Sequence, residues 1–67
     1  MRIEIEREED GRWIAEVPEL PGVLVYGATE REARSKAAVL ALRVIADRIE
    51  AGEPVPFNPD AFFAAAE

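Results

Sequence analysis

Thr29 opens the stretch that most constrains this chain: a single long helix that is apolar on two sides. Thr29 is an N-cap and Glu32 stands three residues on, a capping box that satisfies two orphan backbone N–H groups reciprocally. Glu30 and Glu32 also lie where the helix dipole favours negative charge. Good helix formers then continue to Gly52, the expected C′ residue. The run gives about twenty helical residues, or roughly 30 Å at 1.5 Å per residue. Turning about 100° per residue, Ala33, Ala37, Leu40, Ala41, Val44 and Ile45 form one stripe. Ala38, Val39, Leu42, Ala46 and Ile49 form a second on roughly the opposite side, leaving Lys36, Arg43, Asp47 and Glu50 a narrow polar sector. An ordinary surface helix has one apolar stripe; this one needs two surfaces to pack on. Either the C-terminal tail covers the second stripe, or Val39, Leu42, Ala46 and Ile49 form an oligomer interface. The shortness of the tail favours the interface.

The residues before the helix supply the first surface. Arg2–Arg7 alternates, with Ile3 and Ile5 on one side and Arg2, Glu4 and Glu6 on the other, as a half-buried strand does. Glu8-Glu9-Asp10-Gly11 breaks the pattern as a hairpin turn, and Arg12–Val17 resumes it with Trp13, Ala15 and Val17 on one side. Trp13 reads as core, with an interface anchor as the weaker reading. Pro18-Glu19-Leu20-Pro21-Gly22 is a loop, since two prolines fix φ and remove two donors. Val23–Tyr26 is a short third strand, apolar on both faces, which suggests an interior or interface position. After the helix, Pro54 and Pro56 restrict any strand to an edge. Pro59-Asp60 followed by AFFAAA suits one or two helical turns with Phe62 and Phe63 as anchors. The expected organisation is one α+β domain over residues 1–57 and a tail over 58–67.

Sixty-seven residues rarely hold a core that is sufficient alone, and small domains add disulfides, metals or partners. Without Cys or His the chain lacks disulfides and the usual zinc and haem ligands, so self-association is the remaining aid. A net charge of −6, with eight scattered basic residues, argues against direct nucleic-acid binding, which needs clustered Lys and Arg. It suits a basic protein partner. There is no membrane-length apolar run and no signal-type start, so the expected location is the cytoplasm.

The chemical inventory is sparse. There is no His for acid–base work and no Cys nucleophile, and Ser35 and Thr29 lie in or at the helix. Glu8, Glu9 and Asp10 form the one acidic run, which reads as a solvated turn more readily than a metal site. No cofactor and no catalytic residue is expected.

The run Asp10-Gly11-Arg12-Trp13-Ile14-Ala15-Glu16-Val17-Pro18-Glu19-Leu20-Pro21-Gly22 resembles the signature of the HicB-like antitoxin domain family. Gly27, Thr29, Glu32 and Ala33 match that family's entry into its long helix, and Gly52-Glu53-Pro54-Val55-Pro56 matches the segment after it. The resemblance spans Ile3 to Pro56. It implies a β-β-β-α-β domain, a curtailed ribonuclease-H-like fold: a three-stranded antiparallel sheet on one helix, with a short final strand near Val55. It also implies a non-enzymatic module that binds and occludes a small basic, mRNA-cleaving HicA-like toxin. Many members carry a C-terminal DNA-binding domain as well; these residues leave no room for one, so operator binding is not expected.

Partner-binding candidates are Glu8, Glu9 and Asp10 at the hairpin tip, and Glu19 and Leu20 on the proline-framed loop, whose alternative is a plain chain reversal. The expected self-assembly is a dimer or tetramer. Two other readings stay open: an orphan oligomeric scaffold or small-ligand sensor, and a hydrolase whose site assembles across subunits.

Overall fold

A computed structural model describes residues 1–63. Three strands, β1 (Glu4–Arg7), β2 (Trp13–Glu16) and β3 (Leu24–Gly27), precede the helix α1 (Glu30–Glu50), and a 3-10 turn (Pro59–Phe62) follows. The strands form an antiparallel meander in the order β1-β2-β3, and α1 packs across one face. Cross-strand rows run Ile5–Ala15–Val25 and Arg7–Trp13–Gly27 on the helix side. The other face carries Glu4–Glu16–Leu24 and Glu6–Ile14–Tyr26. The α+β class and the three-stranded sheet on one helix are therefore as the alternation and the capping box predict.

Each junction has a local cause. At the β1–β2 hairpin the Gly11 N–H donates to the Glu8 carbonyl at 3.0 Å, and Gly11 takes φ 91° to turn the chain back. The Glu8 N–H then donates to the Arg12 carbonyl at 2.7 Å. A type I turn followed by a glycine bulge gives this pattern. At the helix start the Glu32 N–H donates to Thr29 Oγ1 at 3.0 Å. The return bond runs from the Ala28 N–H to Glu32 Oε2 at 3.3 Å, one residue earlier than in the standard box. The end is a Schellman motif: Gly52 donates to the Ile49 carbonyl, Glu53 to the Arg48 carbonyl, and Gly52 has φ 73°.

The core divides along the helix. Ala33 and Ala37 bury against Ala15, with Ile3, Ile5, Trp13 and Val25 around them. Ala41 and Ile45 bury against Val17, Leu20 and Val23, flanked by Ile3, Leu40, Val44, Val55 and Phe57. Trp13 is half-buried in the first group, and the Arg7 guanidinium lies 5.9 Å from its ring centre. All the fully buried helix positions come from the first of the two stripes.

Three expectations are corrected. Of the two positions expected for the third strand, the interior one is corrected: it is a sheet edge, with Val25 facing the helix and Leu24 and Tyr26 exposed. No final strand forms at Val55 among the described residues. Val55 and Phe57 reach the core by side-chain packing instead. Phe63 is not an anchor, being 79% exposed. The terminal turn is capped by Asn58, whose Oδ1 accepts from the Asp60 N–H. The remainder of the expected terminal helix, residues 64–67, lies outside the described residues.

Candidate partner-binding surfaces

The sheet face turned away from the helix is open. Along β1 it presents Glu4 and Glu6, along β2 Ile14 and Glu16, and along β3 Leu24 and Tyr26. Leu24 and Tyr26 are 45% and 41% exposed, and Ile14 lies half-buried between the two sides. Half of this face is thus acidic and half apolar. Glu4 and Glu16 stand directly opposite each other, a juxtaposition that costs energy in a sheet. Arg2 lies 3.4 Å from the Glu4 carboxylate, but Glu6, Glu8, Glu9 and Glu16 have no ion-pair partner among the described residues.

The hairpin tip is less uniformly acidic than its sequence suggests. Asp10 Oδ1 accepts from the Arg12 N–H at 3.0 Å, and Oδ2 pairs with Arg12 Nε at 2.7 Å. The Arg12 backbone N–H, and then its side chain, hold the Asp10 carboxyl below its ordinary range. The guanidinium lies 4.5 Å from the Tyr26 ring centre, joining the tip to the far edge of the sheet. Asp10 is therefore neutralised locally, and the outward acids nearby are Glu8 and Glu9. Of these Glu9 is exposed and Glu8 half-buried.

Leu20 is not available to a partner. The Leu20 N–H donates to the Val17 carbonyl, and the Val23 N–H donates to the Leu20 carbonyl, so two consecutive turns share this residue as their corner. Pro18 and Pro21 preset the second residue of each turn, and Gly22 supplies φ 96° in the later one. The shared corner turns the Leu20 side chain inward, where it is 0% exposed. Glu19 stays exposed at the first turn. Its carboxyl is held below the usual range by its own backbone N–H first, and then by Arg2 and the chain N-terminus.

The second helix stripe is exposed in this chain: Val39 is 50%, Leu42 63% and Ile49 45% exposed, and Ala46 is exposed with them. Phe57 and Pro59 of the tail line one wall of a groove whose other wall is Leu42, Ala46 and Ile49. The described tail borders this stripe and does not cover it. Glu4, Glu6 and Glu16 share one face and Glu9 sits at its tip; Val39, Leu42, Ala46 and Ile49 lie on the opposite side of the molecule. Sequence reasoning missed Ile14, Glu16, Leu24 and Tyr26 as surface residues. The outward positions of the same alternation were the signal for Ile14 and Glu16.

Among the described residues no group of three or more Asp, Glu, Cys or His side chains is placed to hold a metal ion, and no helix is long and apolar enough to cross a membrane.

Acid should weaken the fold through three carboxylates, Glu32, Asp10 and Glu19. Lys36 and then the Ala28 N–H lower the Glu32 carboxyl, as Arg12 lowers Asp10. A depressed folded-state pKa gives stability that is present above the unfolded value, about 4. That stability is lost as pH falls through the folded values. Thermal melts from neutral pH downward should be level to about pH 5 and fall below pH 4. Glu32→Gln and Asp10→Asn should each flatten that fall, and an unchanged acid limb in both variants would contradict the assignment.

No family model, curated protein or solved structure matches this chain.

Proposed function

We propose that this chain is a non-enzymatic, self-associating protein-binding module that docks a small basic protein on the open face of its sheet. The observation that carries the reading is the pairing of unneutralised carboxylates Glu6, Glu9 and Glu16 with the exposed apolar side chains Leu24 and Tyr26. A basic surface with an apolar centre complements both halves. The net charge of −6 gives such a partner long-range attraction. The resemblance to HicB-like antitoxins names the partner: a small basic HicA-like toxin that cleaves mRNA. The ribonuclease-H-like assignment of the fold rests on the same resemblance. Neutralisation by such a module is stoichiometric occlusion, and the cytoplasm, where mRNA is cut, is the matching location.

The test is a titration against a small basic mRNA-cleaving protein of the same host. Cleavage should stop at a fixed ratio, without added metal or nucleotide. Glu4, Glu6, Glu9 and Glu16 changed together to Gln should slow association by about tenfold or more and also speed dissociation, since Glu9 at the tip acts on encounter while Glu4, Glu6 and Glu16 lie in the docking face itself. The wild-type association rate should also fall with added salt, as a Debye length of about 8 Å at physiological ionic strength requires. An association rate indifferent to both salt and the four substitutions would overturn the docking face. Turnover of RNA by the purified chain would overturn the non-enzymatic reading.

A further inference from the structure

We infer that two copies of this chain pair through α1 as an antiparallel, twofold-symmetric helix dimer centred on Leu42. The inference rests on the self-association part of the reading above and gives it a geometry. Large apolar side chains are exposed at seven positions among the described residues, and five of them, Met1, Val39, Leu42, Ile49 and Phe63, lie on the outer side of α1 or in the groove beside it. Soluble monomers rarely leave such a patch bare.

Val39, Leu42 and Ile49 are 50%, 63% and 45% exposed on one side of α1, and a second copy presents the same apolar surface to them.

The pattern along α1 is self-complementary, which an isologous contact requires. Ala38, Leu42 and Ala46 follow one another at intervals of four, small–large–small about Leu42. A twofold axis through Leu42 places Ala38 beside the partner's Ala46, and each leucine against its mate between alanines small enough to let the helices approach. Ser35 and Ile49 lie equally far from Leu42 on either side and extend the match by another turn. The contact row of Ser35, Ala38, Leu42, Ala46 and Ile49 carries no charge. The acidic sheet faces then point outward on both sides of the dimer, free to bind.

The chain has no cysteine, so single introduced thiols report the register directly. Wild-type protein should sediment as a dimer at micromolar concentration. Leu42→Cys should oxidise to a covalent dimer under mild oxidant. Ala38→Cys and Ala46→Cys should each link poorly alone but readily when mixed, because the axis sets each like pair about 12 Å apart along the helices at 1.5 Å per residue. Leu42→Glu should raise the dimer dissociation constant at least a hundredfold with an unchanged circular dichroism spectrum. A dimer that links through Leu24→Cys and not through Leu42→Cys overturns this geometry and leaves self-association standing. A wild-type monomer overturns both, while the toxin titration tests the docking reading separately.

Discussion

Leu20→Ala is expected to destabilise the protein by about 2–5 kcal/mol, the range for a buried leucine replaced where the site cannot collapse fully. Leu20 is the largest fully buried side chain among the described residues, and it is held at the corner of two hydrogen-bonded turns. Those turns keep the backbone from following the lost volume, so the cavity among Val17, Val23, Ala41 and Ile45 remains. At about 4–8 °C per kcal/mol for a domain of this size, the melting temperature should drop by roughly 10 °C or more. Urea denaturation at fixed protein concentration is the measurement, because self-association couples stability to concentration. The neighbouring Glu19→Ala should stay within about 0.5 kcal/mol of wild type, as exposed substitutions do. A Leu20→Ala protein as stable as Glu19→Ala would mean that the loop does not close the core.

Gly27→Ala is expected to cost about 1–3 kcal/mol, through overpacking instead of a cavity. A Cβ at Gly27 would stand 2.5 Å from the Ala33 nitrogen and 2.9 Å from its Cα. Both are backbone atoms of the first helical turn, so relief requires the helix to lift from the edge strand. Lifting it would disturb Ala33 and Ala37, which pack on Ala15 in the same layer. The matched control is Gly11→Ala, where a Cβ meets nothing within 4 Å and the strain comes only from φ 91°. Trp13 fluorescence during thermal unfolding reads both variants, since Trp13 sits in the affected layer. Equal midpoints for Gly27→Ala and wild type would show that the layers do not close as tightly as the structure has them.

Much of this was legible in the sequence because it depends on local chemistry. The alternation of Ile3 and Ile5 with Glu4 and Glu6, the Asp10-Gly11 turn, and the Thr29–Glu32 box each specify structure within a few residues, and all form. Leu20 was misplaced because its exposure is set by tertiary geometry. Two prolines in a loop predict rigidity, but only the shared corner of two turns determines that the leucine between them points inward. The interior position expected for β3 fails for a related reason. A strand apolar on both faces suits an interior site within one chain, yet here Leu24 and Tyr26 remain exposed on the acidic face. Val55 shows the opposite error: its segment reads as an edge strand, yet among the described residues it packs on the core without forming one.

The order of elements also has a consequence for synthesis. All three strands lie within the first 27 residues, and the helix that covers them comes afterwards. A nascent chain can therefore complete its sheet pairings, each between neighbours in sequence, while Ile5, Trp13, Ala15 and Val25 still lack their cover. Transiently uncovered apolar surface and unpaired edges are what make partly folded chains stick to one another. The capped helix start at Thr29 shortens that interval, because the first turn to emerge carries its own hydrogen-bond partners and brings Ala33 directly onto the waiting sheet.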